Sequence, residues 1–112
     1  MLLVIVCCLL PWGLAAQNQP VSEADSLLRL LAVAKEDTNK VELLDKISEV
    51  YQSGAGKDKV MQYATRELEL ARKLGWIKGQ VKGLDALGIA YAINGDYQKL
   101  FVYENEAVGA IP

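Results

Sequence analysis

Two stretches of this chain repeat one another 40 residues apart. Leu44, Ile47, Ser48 and Tyr51 fall in register with Leu84, Leu87, Gly88 and Tyr91. Steps of three, four and seven residues put each set on one face of an α-helix. Small residues at 48 and 88 let a second helix lie close. Glycine inside a helix costs about 0.8–1 kcal/mol against alanine, so its place at position 88 implies a packing reason. The repeated pattern points to two copies of one helical unit, with Tyr51 and Tyr91 expected to fill the space between them.

Residues 17–21 read as a polar linker, and everything after them reads as helix. Ser22 is a good N-cap with Asp25 three residues on, and Leu27, Leu28, Leu31 and Ala34 follow at helical spacing. Asp37, Thr38 and Asn39 stop that helix and cap a second one, which carries Val41, Leu44, Ile47, Ser48 and Tyr51. The glycines of residues 53–56 offer the left-handed conformation that ends a helix. A third helix over 58–74 presents Val60, Ala64, Leu68, Ala71 and Leu74, and Gly75 closes it. A fourth over 77–94 presents Val81, Leu84, Leu87, Gly88 and Tyr91. Asn94 and Gly95 end it, and Asp96 caps a fifth with Tyr97, Leu100, Phe101, Ala107 and Val108. No alternating stretch competes for a strand, so the predicted fold class is all-α.

The spacing Leu84-x-x-Leu87-Gly88-x-x-Tyr91, then Gly95-Asp96-Tyr97, Ala107 and Pro112, resembles the tetratricopeptide repeat (TPR). The 40-residue offset exceeds the usual 34. The excess lies in residues 68–79, where Lys73-Leu74-Gly75 and then Lys78-Gly79 resemble the long repeats of bacterial signalling proteins. The resemblance covers residues 22–112. It implies antiparallel helix hairpins stacked as a short TPR-type solenoid of about two repeats plus a leading helix. The chain departs from the family at Val60 and Leu100, where alanine is preferred, and at Glu67 and Glu104, where small or aromatic residues are usual. The faces of those two acids are therefore expected to be solvated. Such arrays gain stability from neighbour interfaces and usually need three repeats or more. This one reads as incomplete, and the outer face of its last hairpin is expected to expose apolar surface.

Residues 2–10 are an unbroken apolar run, followed by Pro11 and then by Ala15 and Ala16. This fits a secretory signal peptide over residues 1–16, although no Lys or Arg precedes the run. Nine residues are too few to span about 30 Å of hydrocarbon. The other reading is an N-terminal helix buried in the domain. Export would place the chain across the inner membrane, in the periplasm or otherwise extracytoplasmic. Cys7 and Cys8 lie within the run, which leaves the mature chain without cysteine, comfortable in an oxidising compartment.

Composition narrows the chemistry. The chain has 12 Lys and Arg against 14 Asp and Glu, with no His. No basic face is available for nucleic acid, and the commonest general base and metal ligand is missing. Glu67/Glu69 and Glu104/Glu106 are neighbours in sequence only, because residues two apart on a helix point away from each other. Glu42, Asp45 and Glu49 share a face, but one straight helix supplies too few converging oxygens for a hard cation. Gly54-Ala55-Gly56-Lys57 lacks the spacing and the hydroxyl residue of a phosphate loop. The expectation is a non-enzyme without cofactor or metal.

The resemblance implies a protein–protein interaction scaffold on the extracytoplasmic side of a bacterial membrane. The alternative is the N-terminal sensing part of a membrane-bound histidine kinase or similar signalling protein, its output domain lying outside these residues. In this family the groove is lined by the first helix of each hairpin. The 40-residue overlay places Glu42, Asp45, Glu49 and Gln52 there from one repeat and Lys82, Asp85, Ile89 and Ala92 from the next. Acids outnumber the lone lysine, so the expected partner is another protein or a peptide segment, basic rather than acidic. Self-association through the last hairpin is the other expected contact, and the membrane enters only through the signal peptide or a downstream segment.

Overall fold

The computed structural model describes residues 19–54 and 56–112. The signal-peptide reading of residues 1–16 lies outside them. Five helices and no strand occur among the described residues: α1 (Gln19–Ala32), α2 (Thr38–Gln52), α3 (Lys57–Leu74), α4 (Ile77–Ile93) and α5 (Tyr97–Ala110). The fold is all-α.

Local chemistry accounts for most of the boundaries. Asp37 is extended, and its side chain accepts a hydrogen bond from the Lys40 N–H at 3.1 Å, which satisfies a free donor at the start of α2. Asp96 does the same for Lys99 at the start of α5, also at 3.1 Å. Gly75 ends α3 in the left-handed conformation (φ 65°, ψ 28°), and its N–H reaches back to the Ala71 and Arg72 carbonyls.

Two ends differ from the sequence reading. Helix α1 begins at Gln19 rather than after Ser22, so residues 19–21 are helical and not linker. Pro20 falls in the first turn, where its missing N–H leaves no helical bond unmade. Helix α2 ends on Ser53 in the right-handed conformation rather than on a left-handed glycine, and the Ser53 hydroxyl donates to the Val50 carbonyl at 3.0 Å.

Each helix packs on the next, and α2 also touches α4. Leu31, Val41, Leu44, Ile47, Tyr63, Leu70 and Ala71 form one buried cluster across α1, α2 and α3, with Trp76 against it. Ala64, Leu68, Leu84, Ala86, Leu87 and Ala107 form a second across α3, α4 and α5. Helix α3 serves both clusters, which is why apolar residues occupy more than one of its faces.

Close backbone approach sets the spacing of neighbours. A Cβ on Gly83 would lie 3.0 Å from the Leu68 Cα, and one on Gly88 would lie 3.0 Å from the Leu100 Cδ1. The small residue expected at 88 is therefore in contact with α5. Gly83 performs the same service between α3 and α4, a role that the repeat pattern does not disclose.

The tyrosines are placed differently from expectation. Tyr51 stacks on Tyr63 inside the α2–α3 hairpin, with ring centroids 5.6 Å apart and planes 18° apart. Forty residues later Tyr91 stacks on Tyr103 inside the α4–α5 hairpin, at 5.7 Å and 15°. Their contact is thus chiefly within hairpins. Lys59 sits over Tyr51 and Lys99 over Tyr91, both 5.6 Å from the ring centroid, so the cation repeats with the stack. The tyrosines' own contact between hairpins comes through Lys57, 4.9 Å from the Tyr91 ring.

Exposed ion pairs tie α3 to its flanks, Lys73 to Glu36 at 2.6 Å and Arg72 to Glu106 at 2.9 Å. At such exposure solvent screens both pairs, and each contributes little to stability. The outward face of α5 carries exposed Tyr97, Phe101, Val102 and Val108, with Ile111 beyond its end.

Candidate functional groove

The contact of α2 with α4 creates a groove between them of about 140 Å³. Asp45, Glu49 and Gln52 supply one wall from successive turns of α2. Lys82, Asp85, Ala86 and Ile89 supply the other from α4. Helical spacing explains the arrangement: positions three, four and seven apart stack along one face. Six of the eight residues chosen from the overlay meet here.

The other two do not. Glu42 lies one turn before Asp45 and lines a separate groove beside α1, with Leu27, Leu30, Val33 and Leu43. Ala92 lies past Ile89, half-buried near the end of α4, and lines no part of the groove. Ala86 lines it although the overlay passed it by.

Lys82 is the only cation of the lining, with its Nζ 3.4 Å from the Asp45 Oδ2. Glu49 and Asp85 form no ion pair among the described residues.

The groove's most unusual neighbour is Glu67 of α3. Its solvated face was expected, yet its exposure is 0% and neither carboxylate oxygen receives a hydrogen bond. The reason is its register. Glu67 lies four residues after Tyr63 and three after Ala64, inside the buried face of α3. It faces Asp45 and Glu49 of α2 and Lys82 of α4. Burial, and then the Asp45 carboxyl beside it, push the Glu67 pKa up to about 10. At neutral pH it is a neutral acid that donates to Asp45, while its other oxygen stays without a donor.

A second carboxyl pair stands one hairpin on. Glu104 of α5 is raised above the usual carboxylate range by a hydrogen bond with Asp85, then by partial burial. Glu104 is half-buried, so the solvation expected of it holds only in part. Each hairpin therefore sets an acid of its second helix against an aspartate of its first.

No group of three or more His, Cys, Asp or Glu among the described residues is placed to hold a metal ion. No helix among them is long and apolar enough to cross a membrane. Comparison with protein-family models, curated proteins and solved structures gives no match for this chain.

Proposed function

We propose that this chain is a TPR-type protein-interaction scaffold that works on the extracytoplasmic side of a bacterial membrane and performs no chemistry of its own. The observation that carries the reading is the repeated hairpin: Tyr51–Tyr63 and Tyr91–Tyr103 stack alike 40 residues apart. The first helices of the two hairpins, α2 and α4, lie side by side and line an open groove. A repeat that sets its first helices along one surface supports a stacked, solenoid-like reading, in which that surface receives a partner segment.

Two measurements test it. A fusion of the whole chain to a reporter active only outside the cytoplasm should be active, and should lose activity when residues 2–10 are interrupted by charges. A panel of labelled peptides should include binders that Ile89→Glu weakens at least about tenfold, the scale expected from removing apolar contact and adding charge. An inactive fusion would refute the location. A panel without binders would refute the scaffold.

A further inference from the structure

The groove is out of electrical balance, and further carboxyl groups stand behind its walls. Asp45, Glu49 and Asp85 line it against Lys82 alone. Glu67 stands behind Asp45, wholly buried, and neither of its oxygens receives a hydrogen bond. Glu104 stands behind Asp85. Three acidic side chains thus line the groove against one ammonium, and the carboxyl groups behind them, neutral Glu67 among them, supply no cation to offset the difference. Buried acids ordinarily sit with a cation or with several N–H donors, because burial without them is costly. Among the described residues the only cation facing Glu67 is Lys82, which is held at Asp45.

We propose that the α2–α4 groove receives the cationic head of an arginine or lysine side chain from a partner peptide, held between Glu49 and Asp85 and competing with Lys82 for Asp45. The inference rests on the scaffold reading above and names the chemistry of its partner. Acceptors stand on both walls, which suits a planar guanidinium with donors on several edges better than a compact ammonium. Ala86 and Ile89 offer apolar contact to the methylene stem. The Gln52 amide, at the same end as Ile89, can both donate to and accept from a peptide backbone. The volume admits one long side chain rather than a folded segment. Lys82 is a weak competitor, because its pair with Asp45 is long and the lysine is substantially exposed.

Fluorescence polarisation on the full chain tests this with three labelled decapeptides of equal length, one bearing arginines, one glutamates and one only serine, glycine and alanine. The arginine peptide should bind at least about tenfold tighter than the neutral one at low salt, and the advantage should shrink as salt rises. Glu49→Gln and Asp45→Asn should each weaken it several-fold, and Lys82→Ala should tighten it. Glu23→Gln and Asp58→Asn change the net charge equally at exposed sites outside the groove and should leave it unchanged. If arginine and neutral peptides bind alike, the cation site is refuted and the scaffold survives. If none binds, both fail. Equal losses from acids inside and outside the groove would mean a diffuse field and overturn the site. Spermidine that binds while the arginine peptide does not would overturn the peptide as its source.

Discussion

Glu67 of α3 and Asp45 of α2 bring two carboxyl groups together in the seam beside α4. Only the protonated form of Glu67 has a hydrogen to share there. A folded-state pKa of about 10 against the ordinary 4.5 means that the folded chain holds a proton the unfolded chain releases. Stability is then full below the unfolded value and falls as pH rises toward the folded one. Glu104 acts in the same direction. Glu36, lowered by its hydrogen bond to Lys73, acts oppositely, but its effect lies in the acid range.

The first prediction follows. The chain should be more stable near about pH 5.5 than near about pH 8.5, by up to about 4 kcal/mol, since one linked proton contributes at most about 1.4 kcal/mol per pH unit over about three units. Glu67→Gln keeps the donor toward Asp45 and removes the ionisable proton. It should stabilise the chain at the higher pH and flatten the profile. Urea unfolding across the range checks both, and a parent chain most stable at alkaline pH would contradict them.

Two glycines should respond in opposite senses. A Cβ at Gly83 would stand 3.0 Å from Leu68 Cα and 3.1 Å from its nitrogen, backbone atoms that cannot swing aside. Gly83→Ala should cost about 1–3 kcal/mol, the range for overpacking. A Cβ at Gly109 would meet nothing within 4 Å, and that residue lies in α5 without a positive φ. Gly109→Ala should therefore stabilise by up to about 1 kcal/mol through helix propensity. Thermal melts of the two variants decide.

The stacked tyrosines give a third expectation. A double-mutant cycle on Tyr51 and Tyr63, each changed to Leu, should return a coupling of about 0.5–1.5 kcal/mol. The cycle on Tyr91 and Tyr103 should return a similar value, because the two pairs share their geometry to within a few degrees. A coupling present in one hairpin and absent in the other would deny that they are equivalent units.

The order of helices was legible because each boundary is written in local chemistry: Asp37 and Asp96 as caps, Gly75 as a stop. Most of the groove was legible too, since Asp45, Glu49 and Gln52 recur on one face of α2 at helical spacing. Its limits were not. Whether Glu42 turns toward α1 or α4 depends on how α1 packs, and periodicity along α2 carries no information about that. Glu67 was not legible from its charge, because a charged side chain implies solvation, whereas its register sets it in the buried face of α3. The signal was present, for it lies between Tyr63 and Ala64 on one side and Leu70 and Ala71 on the other. The tyrosine stacks were hidden for a related reason: the repeat marks one partner of each pair, and the other sits 12 residues on, across a turn.

The fourth prediction concerns α5. Phe101 is 66% exposed and Val108 69%, seven residues apart on one helix face, with Tyr97 a turn before Phe101 and Ile111 beyond Val108. Each apolar side chain left in water forgoes roughly 1.5–3 kcal/mol of burial, so a contiguous row of them favours association. The chain should therefore self-associate through this face at rising concentration. Sedimentation of the parent against Phe101→Lys with Val108→Lys should show the parent's association shifted to at least about tenfold higher concentration, with helicity unchanged in circular dichroism. Both positions point outward, so neither lysine disturbs the buried cluster around Ala107. A parent that stays monomeric throughout the range, or a double variant that associates as before, would show that this face is not the contact.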